Sequence, residues 1–244
     1  MRSRHDSVHI GNRGPPGRCH PGWVSESAPV DTTTTSTGID PDDDQALLAE
    51  AVRSWTRIAA WVLSIGGVIG FVASFVLTVE RFELAADPDY VPTCNFNPVL
   101  SCGSVMAKPQ AALFGFPNPL LGIAGFAVVI TTGVAIFAGA RLAGWYWAGL
   151  QVGVTAAMAF ICWLIYSSLY SIGALCPYCM VVWAVTLPIF VFVSVRNAHA
   201  SGLTSRSGVA LAVARSHALI LALAVTLVVV LIAVRFWSYW SSLY

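Results

Sequence analysis

The sequence predicts an all-α membrane protein with five spanning helices, and three observations carry that expectation. Hydrophobic residues make up 57% of the 244 residues and charged residues only 10%, whereas a soluble domain carries about 25% charged residues. Mean hydropathy is +0.72. The charges are also confined, because all 12 Asp and Glu lie at or before Asp89. That removes paired-carboxylate catalysis, carboxylate metal cages and carboxylate proton relays from the second half. A net charge of +1 argues against a polyanion-binding surface, so no nucleic-acid partner is expected.

The spans follow from stretches without Asp, Glu, Lys or Arg. These run from Ile58 to Val79, from Pro109 to Ala140, from Leu142 to Val195 and from Ser216 to Val234. A spanning helix needs about 20 apolar residues. The third stretch, with 54 residues, therefore holds two helices and a break. Ser171-Ile172-Gly173-Ala174-Leu175-Cys176-Pro177 supplies that break, since Gly ends a helix and Pro suits the first turn of the next. The predicted helices are 56–79, 118–140, 146–171, 177–195 and 216–236. Residues 1–54 read as a disordered tail: the first 50 lack an apolar core and contain Gly, Pro, four consecutive Thr and Asp42-Asp43-Asp44. A short helix from Pro41 to Glu50 leads into the first span.

Orientation follows from the basic residues at helix ends. With the N-terminus in the cytoplasm, Arg53, Arg57, Arg141, Arg196, Arg206 and Arg215 lie inside, against Arg81, Lys108 and Arg235 outside. This predicts a multi-pass protein of the inner (plasma) membrane. The long connection 80–117 and the 173–177 break then share the extracytoplasmic side.

Four of the six cysteines fall in those two places. Cys94 and Cys102 sit in the outer connection, and Cys176-Pro177-Tyr178-Cys179 opens the fourth span. Two residues between thiols at a helix start allow a disulfide. They also put the first thiol beside unsatisfied N–H groups and the positive end of the helix dipole, which favour thiolate. Three readings stay open. A purely structural staple is weak for the CxxC pair, whose loop is too short to stabilise much. A four-thiolate zinc site fits poorly with seven residues between the first two thiols, so no metal is expected. Catalytic thiol exchange accounts best for the pattern. Cys19 reads as incidental, and Cys162, in the middle of a span, reads as a small packing residue. A transporter or a non-catalytic membrane scaffold with structural disulfides is the alternative. Its marks would be inverted repeats or polar sites within the membrane, and Gln151 is the most polar candidate.

Three pieces together carry a likeness to a known family. They are the Cys94–Cys102 spacing, Phe114-Gly115-Phe116-Pro117-Asn118-Pro119-Leu120-Leu121-Gly122 opening the second span, and the CxxC at Cys176. In combination they resemble vitamin K epoxide reductase and its bacterial homologues over residues 55–196. The DsbB type, a rival of the same chemistry but another lineage, places its CxxC before the loop pair, the reverse of the order here.

The resemblance implies a four-helix bundle around a quinone, residues 55–196 with the outer loop 80–117, in which the segment 109–116 reads as a short amphipathic cap. Residues 197–244 would add a cytoplasmic connection and a fifth helix. It implies an enzyme that oxidises thiols with menaquinone or a vitamin K-type quinone, supporting disulfide formation in exported proteins. By the same resemblance Cys94 meets the partner's thiol, Cys102 exchanges with Cys176, and Cys179 meets the quinone. Asn118 matches the residue that hydrogen-bonds a quinone oxygen, although on composition alone it reads as a helix N-cap. Trp183, Phe114 and Tyr178 are candidate ring contacts; Trp183 and Tyr178 equally suit a membrane interface, and Phe236, Trp237, Tyr239, Trp240 and Tyr244 read as an outer aromatic belt. Many relatives continue into a thioredoxin-like domain, whereas this sequence stops at Tyr244. The implied donor is therefore a separate extracytoplasmic DsbA-like or thioredoxin-like protein. Lys108 stands where many relatives have a small hydroxyl residue.

Overall fold

The computed structural model describes residues 41–87 and 89–241. Most of the expected tail, Cys19 included, and Tyr244 lie outside the described residues. Residues 41–54, expected within the tail, are helical and continuous with the first span. Helix α1 runs without a break over Pro41–Ala86. Its 46 residues reach roughly 70 Å at 1.5 Å per residue, more than twice the thickness of a hydrocarbon core.

The next elements form a cap. Helix α2 (Cys102–Met106) begins at Ser101, whose side chain accepts a hydrogen bond from the Ser104 N–H. A 3₁₀ turn follows at Pro109–Ala112. Helix α3 (Pro119–Phe137) starts with proline at its first turn. It ends where Gly139 adopts φ +85°, a conformation open to glycine at no steric cost. Helix α4 (Gly144–Tyr166) widens into a π-helical segment at Ser167–Ile172. Gly173, in the left-handed region at φ 70°, then stops it. Helix α5 (Pro177–Ala200) follows at once. The expected break is therefore real, and both of its signal residues do the work assigned to them.

Helices α6 (Leu203–Arg206) and α7 (Gly208–Arg215) connect to α8 (His217–Arg235), and α9 (Trp237–Ser241) closes the described chain. Five helices are long and apolar enough to cross a membrane, and the protein is an all-α, multi-pass membrane protein. Among the described residues there is no strand, only an isolated parallel bridge between Leu100 and Leu175.

Helices α1, α3, α4 and α5 form the bundle, with α1 packed closely against α3 and α5. Its core is Leu63, Phe126, Val129, Trp147, Leu150, Val154, Ile189 and Val193. Lipid is as apolar as leucine, so helices in a bilayer associate through close packing at small residues. Gly70 and Gly133 serve this: a Cβ on Gly70 would strike the Phe126 ring, and one on Gly133 would strike Ser64. Helix α8 buries no residue along its length and is held at its end instead. There Phe236 enters a cluster with Leu169 and Trp183, and Arg235 Nε donates to the Leu169 carbonyl at 2.9 Å.

Two sequence expectations are corrected. Phe236, expected in an outer aromatic belt, is buried. Cys162, expected to pack, is exposed on α4, because this part of α4 turns its buried face through Ile161. Gln151 is not an unpaired polar site: it donates to Ser194 Oγ at 2.9 Å and accepts from Asn197 Nδ2 at 3.2 Å.

Candidate functional site

The four cysteines of interest meet at one end of the bundle. Cys94 and Cys102 are joined as a disulfide, while Cys176 and Cys179 are free thiols. The Cys102 sulfur lies 3.0 Å from the Cys176 sulfur, across 74 residues of sequence. A short parallel pairing sets that approach. Leu175 N–H donates to the Val99 carbonyl at 2.7 Å, and Ser101 N–H donates to the Leu175 carbonyl at 2.9 Å. Leu175 is one residue from Cys176 and Leu100 is two from Cys102, so the bridge aligns the two thiol-bearing helix starts.

The sulfurs of Cys94, Cys102 and Cys176 lie within 4.8 Å of one another, and Cys179 is not in that group. With Cys94 and Cys102 joined, the group offers one thiolate rather than the four of a structural zinc site. Cys176 is the N-cap of α5. Its thiol is lowered from its ordinary value, first by the hydrogen bond it shares with Cys179. The N–H groups of Cys179 and Tyr178 add to this, against burial and the charge of Glu80.

Beneath the sulfurs lies a cavity of about 750 Å³, within the size range of sites for small organic ligands. Cys176 and Cys179 line its roof, and it extends to Trp145 and Tyr146 near the start of α4. Helices α3 and α4 both line it, and they meet where Thr132 Oγ1 and Tyr146 OH share a hydrogen bond at 2.5 Å. Gly125, Gly149 and Gly153 line the cavity and present no side chain.

Asn118 lines this cavity and also closes the cap. It donates to the Gln110 carbonyl at 2.7 Å and accepts from the Leu113 N–H at 3.2 Å. It makes no side-chain cap to α3, so the N-cap alternative is not what its amide does. Trp183 is buried and lines the cavity. Phe114 lines it too, is largely exposed, and packs near Phe116 and Phe160. Tyr178 sits instead with the sulfur cluster of Leu77, Cys94, Cys102, Met106 and Cys176, off the cavity lining. The helical turn carries it there: it lies one residue before Cys179, about 100° around α5. Lys108 is exposed ahead of the 3₁₀ turn.

Three contributors were not singled out from the sequence. Gln110 lines the cavity, and its Oε1 is buried without a partner. Arg81 places a cation at the same lining. Glu80 is a buried carboxylate on α1, 5% exposed. It accepts from Tyr90 OH at 3.0 Å, from Thr93 N–H at 3.2 Å and from Thr93 Oγ1. The Tyr90 phenol is pushed up, chiefly by its hydrogen bond to Glu80. A charge at the end of an apolar span was the available signal for Glu80.

A helical membrane bundle with a close-set cysteine cluster over an apolar cavity defines the class: a multi-pass membrane protein with grouped cysteines at one end. The family model described as "Vitamin K epoxide reductase family" matches residues 61–194. The chain belongs to that family, and it is a membrane oxidoreductase whose cysteines lie close together. A search of curated proteins finds no match to it.

Proposed function

We propose that the protein is a thiol:quinone oxidoreductase. It draws electrons from a separate extracytoplasmic DsbA-like or thioredoxin-like protein and so supports disulfide formation in exported proteins. The observation that carries this reading is the 3.0 Å approach of Cys102 to Cys176 above a cavity that Cys179 also lines. A purely structural disulfide leaves that approach without a role.

Each step is attack of a thiolate on a disulfide. A partner thiolate attacks Cys94 and releases Cys102 as thiolate; the partner's second thiol then resolves the mixed disulfide. Cys102 attacks Cys176 of a Cys176–Cys179 disulfide and displaces Cys179. Cys94 recloses on Cys102 and releases Cys176, whose lowered affinity for a proton suits a leaving group. This step leaves the loop pair joined and the CxxC pair reduced, and that pairing, Cys94 bonded to Cys102 with Cys176 and Cys179 free, requires no further exchange between the pairs. Cys176 and Cys179 then rejoin as they give up two electrons and two protons.

The cavity fits a menaquinone or vitamin K-type quinone, which when bound supplies the two-electron, two-proton acceptor. One Asn118 amide proton goes to the Gln110 carbonyl, leaving the other for a ligand oxygen. The unpartnered Gln110 Oε1 offers a place for a hydroxyl proton, and Trp183 and Phe114 supply ring surfaces. The part of the cavity lined by α3 and α4 suits an isoprenoid tail. Placing the sulfurs on the extracytoplasmic face, with the N-terminus in the cytoplasm, follows the basic residues at the helix ends.

The test is quinol formation by the purified protein with a reduced dithiol partner, alongside mass spectrometry for co-extracted quinone. Stoichiometric quinol and disulfide are expected. No quinone consumption, or the outer loop labelled from the cytoplasm, overturns the reading.

A further inference from the structure

Cys94 is 2% exposed, Cys102 is 0% exposed and Cys176 is 1% exposed. In this arrangement an outside thiol has no open path to the disulfide that the proposed relay needs it to attack. Something must move, and the loop around Cys94 is built in two unequal halves.

The half after Cys94 is stapled repeatedly. Asn95 Oδ1 accepts from Ser101 Oγ at 3.1 Å and from the Gly103 N–H at 3.0 Å. Asn97 Oδ1 accepts from the N–H groups of Val99 and Leu100. The Leu100–Leu175 bridge then ties this half to the start of α5. The half before Cys94 is different. Among the described residues, the only side chain that hydrogen-bonds residues 90–93 is Glu80, through Tyr90 and Thr93. Thr93 is the residue next to Cys94, so the acceptor on α1 and the buried sulfur are separated by one peptide.

We propose that Glu80 is a latch: its carboxylate holds residues 90–93 closed over Cys94, and their release exposes the disulfide while the Leu100–Leu175 bridge keeps Cys102 aligned with Cys176. The geometry assigns one job to each half of the loop. The latched half admits the outside thiol, and the stapled half preserves the 3.0 Å exchange distance. A buried carboxylate is costly unless donors satisfy it. Tyr90 and Thr93 supply those donors only in the closed loop, which makes closure the resting state. Val91 and Phe96, each 70% exposed, flank Cys94 on the two halves and give an incoming protein apolar purchase on the loop. Glu80 acts through the loop and is a positioning residue, not a group that touches the reacting sulfurs.

The inference rests on the reading that an outside thiol attacks Cys94, but its primary readout needs no quinone. The full-length protein in detergent is treated with dithiothreitol, and loss of the Cys94–Cys102 disulfide is timed by mass spectrometry. Glu80→Ala, Thr93→Val and the pair Tyr90→Phe with Thr93→Val each remove latch hydrogen bonds. Reduction about tenfold faster than in the unaltered protein is expected for Glu80→Ala and for the pair. A smaller acceleration is expected for Thr93→Val alone, and Thr93→Ser should restore the original rate.

The unaltered rate in Glu80→Ala, or in the pair, overturns the proposal. Acceleration by Glu80→Ala but not by the pair also overturns it, because Glu80 would then act by its charge on Cys176. The same holds if Glu80→Ala equally alters quinone reduction by the pre-reduced protein. Should Glu80→Ala fail to fold, the pair, which keeps the charge, decides the question. Failure of the unaltered protein to reduce any quinone would overturn the proposed function and leave the latch result standing.

Discussion

The Cys102 sulfur stands 3.0 Å from the Cys176 sulfur, and each belongs to a residue within two positions of the Leu100–Leu175 bridge. One short backbone pairing thus joins the two helix starts that carry the thiols. In the double variant Cys94→Ala, Cys179→Ala, only these two remain in the cluster. A Cys102–Cys176 disulfide should form nearly quantitatively under mild oxidation, and peptide mapping under non-reducing conditions will detect it.

Cys179→Ala should lower quinone reduction by at least about a hundredfold, which corresponds to roughly 2.7 kcal/mol. Reduction of the Cys94–Cys102 disulfide by a small thiol should continue. The two rates, measured separately, divide the relay at Cys176. Equal loss of both would mean that the variant had lost its fold.

The thiolate of Cys176 should persist to lower pH than that of an ordinary cysteine, because Cys179 and the helix-start N–H groups stabilise it. A group lowered in this way stays charged above its shifted value and loses its charge as pH falls through that value. Alkylation of Cys176 by a small reagent, followed against pH, should therefore fade at lower pH than for a free thiol. In Cys179→Ala the profile should move upward, since the largest stabilising contact is gone.

Asn118→Ala deletes the hydrogen bonds to Gln110 and Leu113 that close the cap. A typical hydrogen bond contributes about 1 kcal/mol, so a stability loss of about 2 kcal/mol is expected by thermal unfolding in detergent. The KM for quinone should rise by about tenfold, because the same amide faces the cavity. Asn118→Asp should be worse, since it sets a carboxylate oxygen against the Gln110 carbonyl. An unchanged KM in both variants would confine Asn118 to the cap.

Much of the fold was legible because hydropathy is a local property. Gly173 and Pro177 marked the break inside one long apolar stretch, and the helices on either side end and begin there. The grouping of four thiols was legible from the two connections that hold them, which the span order puts at the same end of the bundle. The misreadings share a cause. Phe236 and Cys162 were assigned by residue type and depth, while their burial depends on which face of α4 or α8 meets a neighbour. Tyr178 sits beside the sulfurs for the same rotational reason.

By itself the sequence determined the membrane spans, the CxxC at a helix start, and the absence of acids beyond Asp89. Those features follow from apolar length and from residues that stop or start a helix. Only the tertiary structure decided that Cys102 faces Cys176, that α3 and α4 line one cavity, and that Glu80 gathers its donors from residues 90–93. These are contacts between residues far apart along the chain or on opposite sides of a turn. They are set by how the helices pack, which no single stretch of sequence encodes.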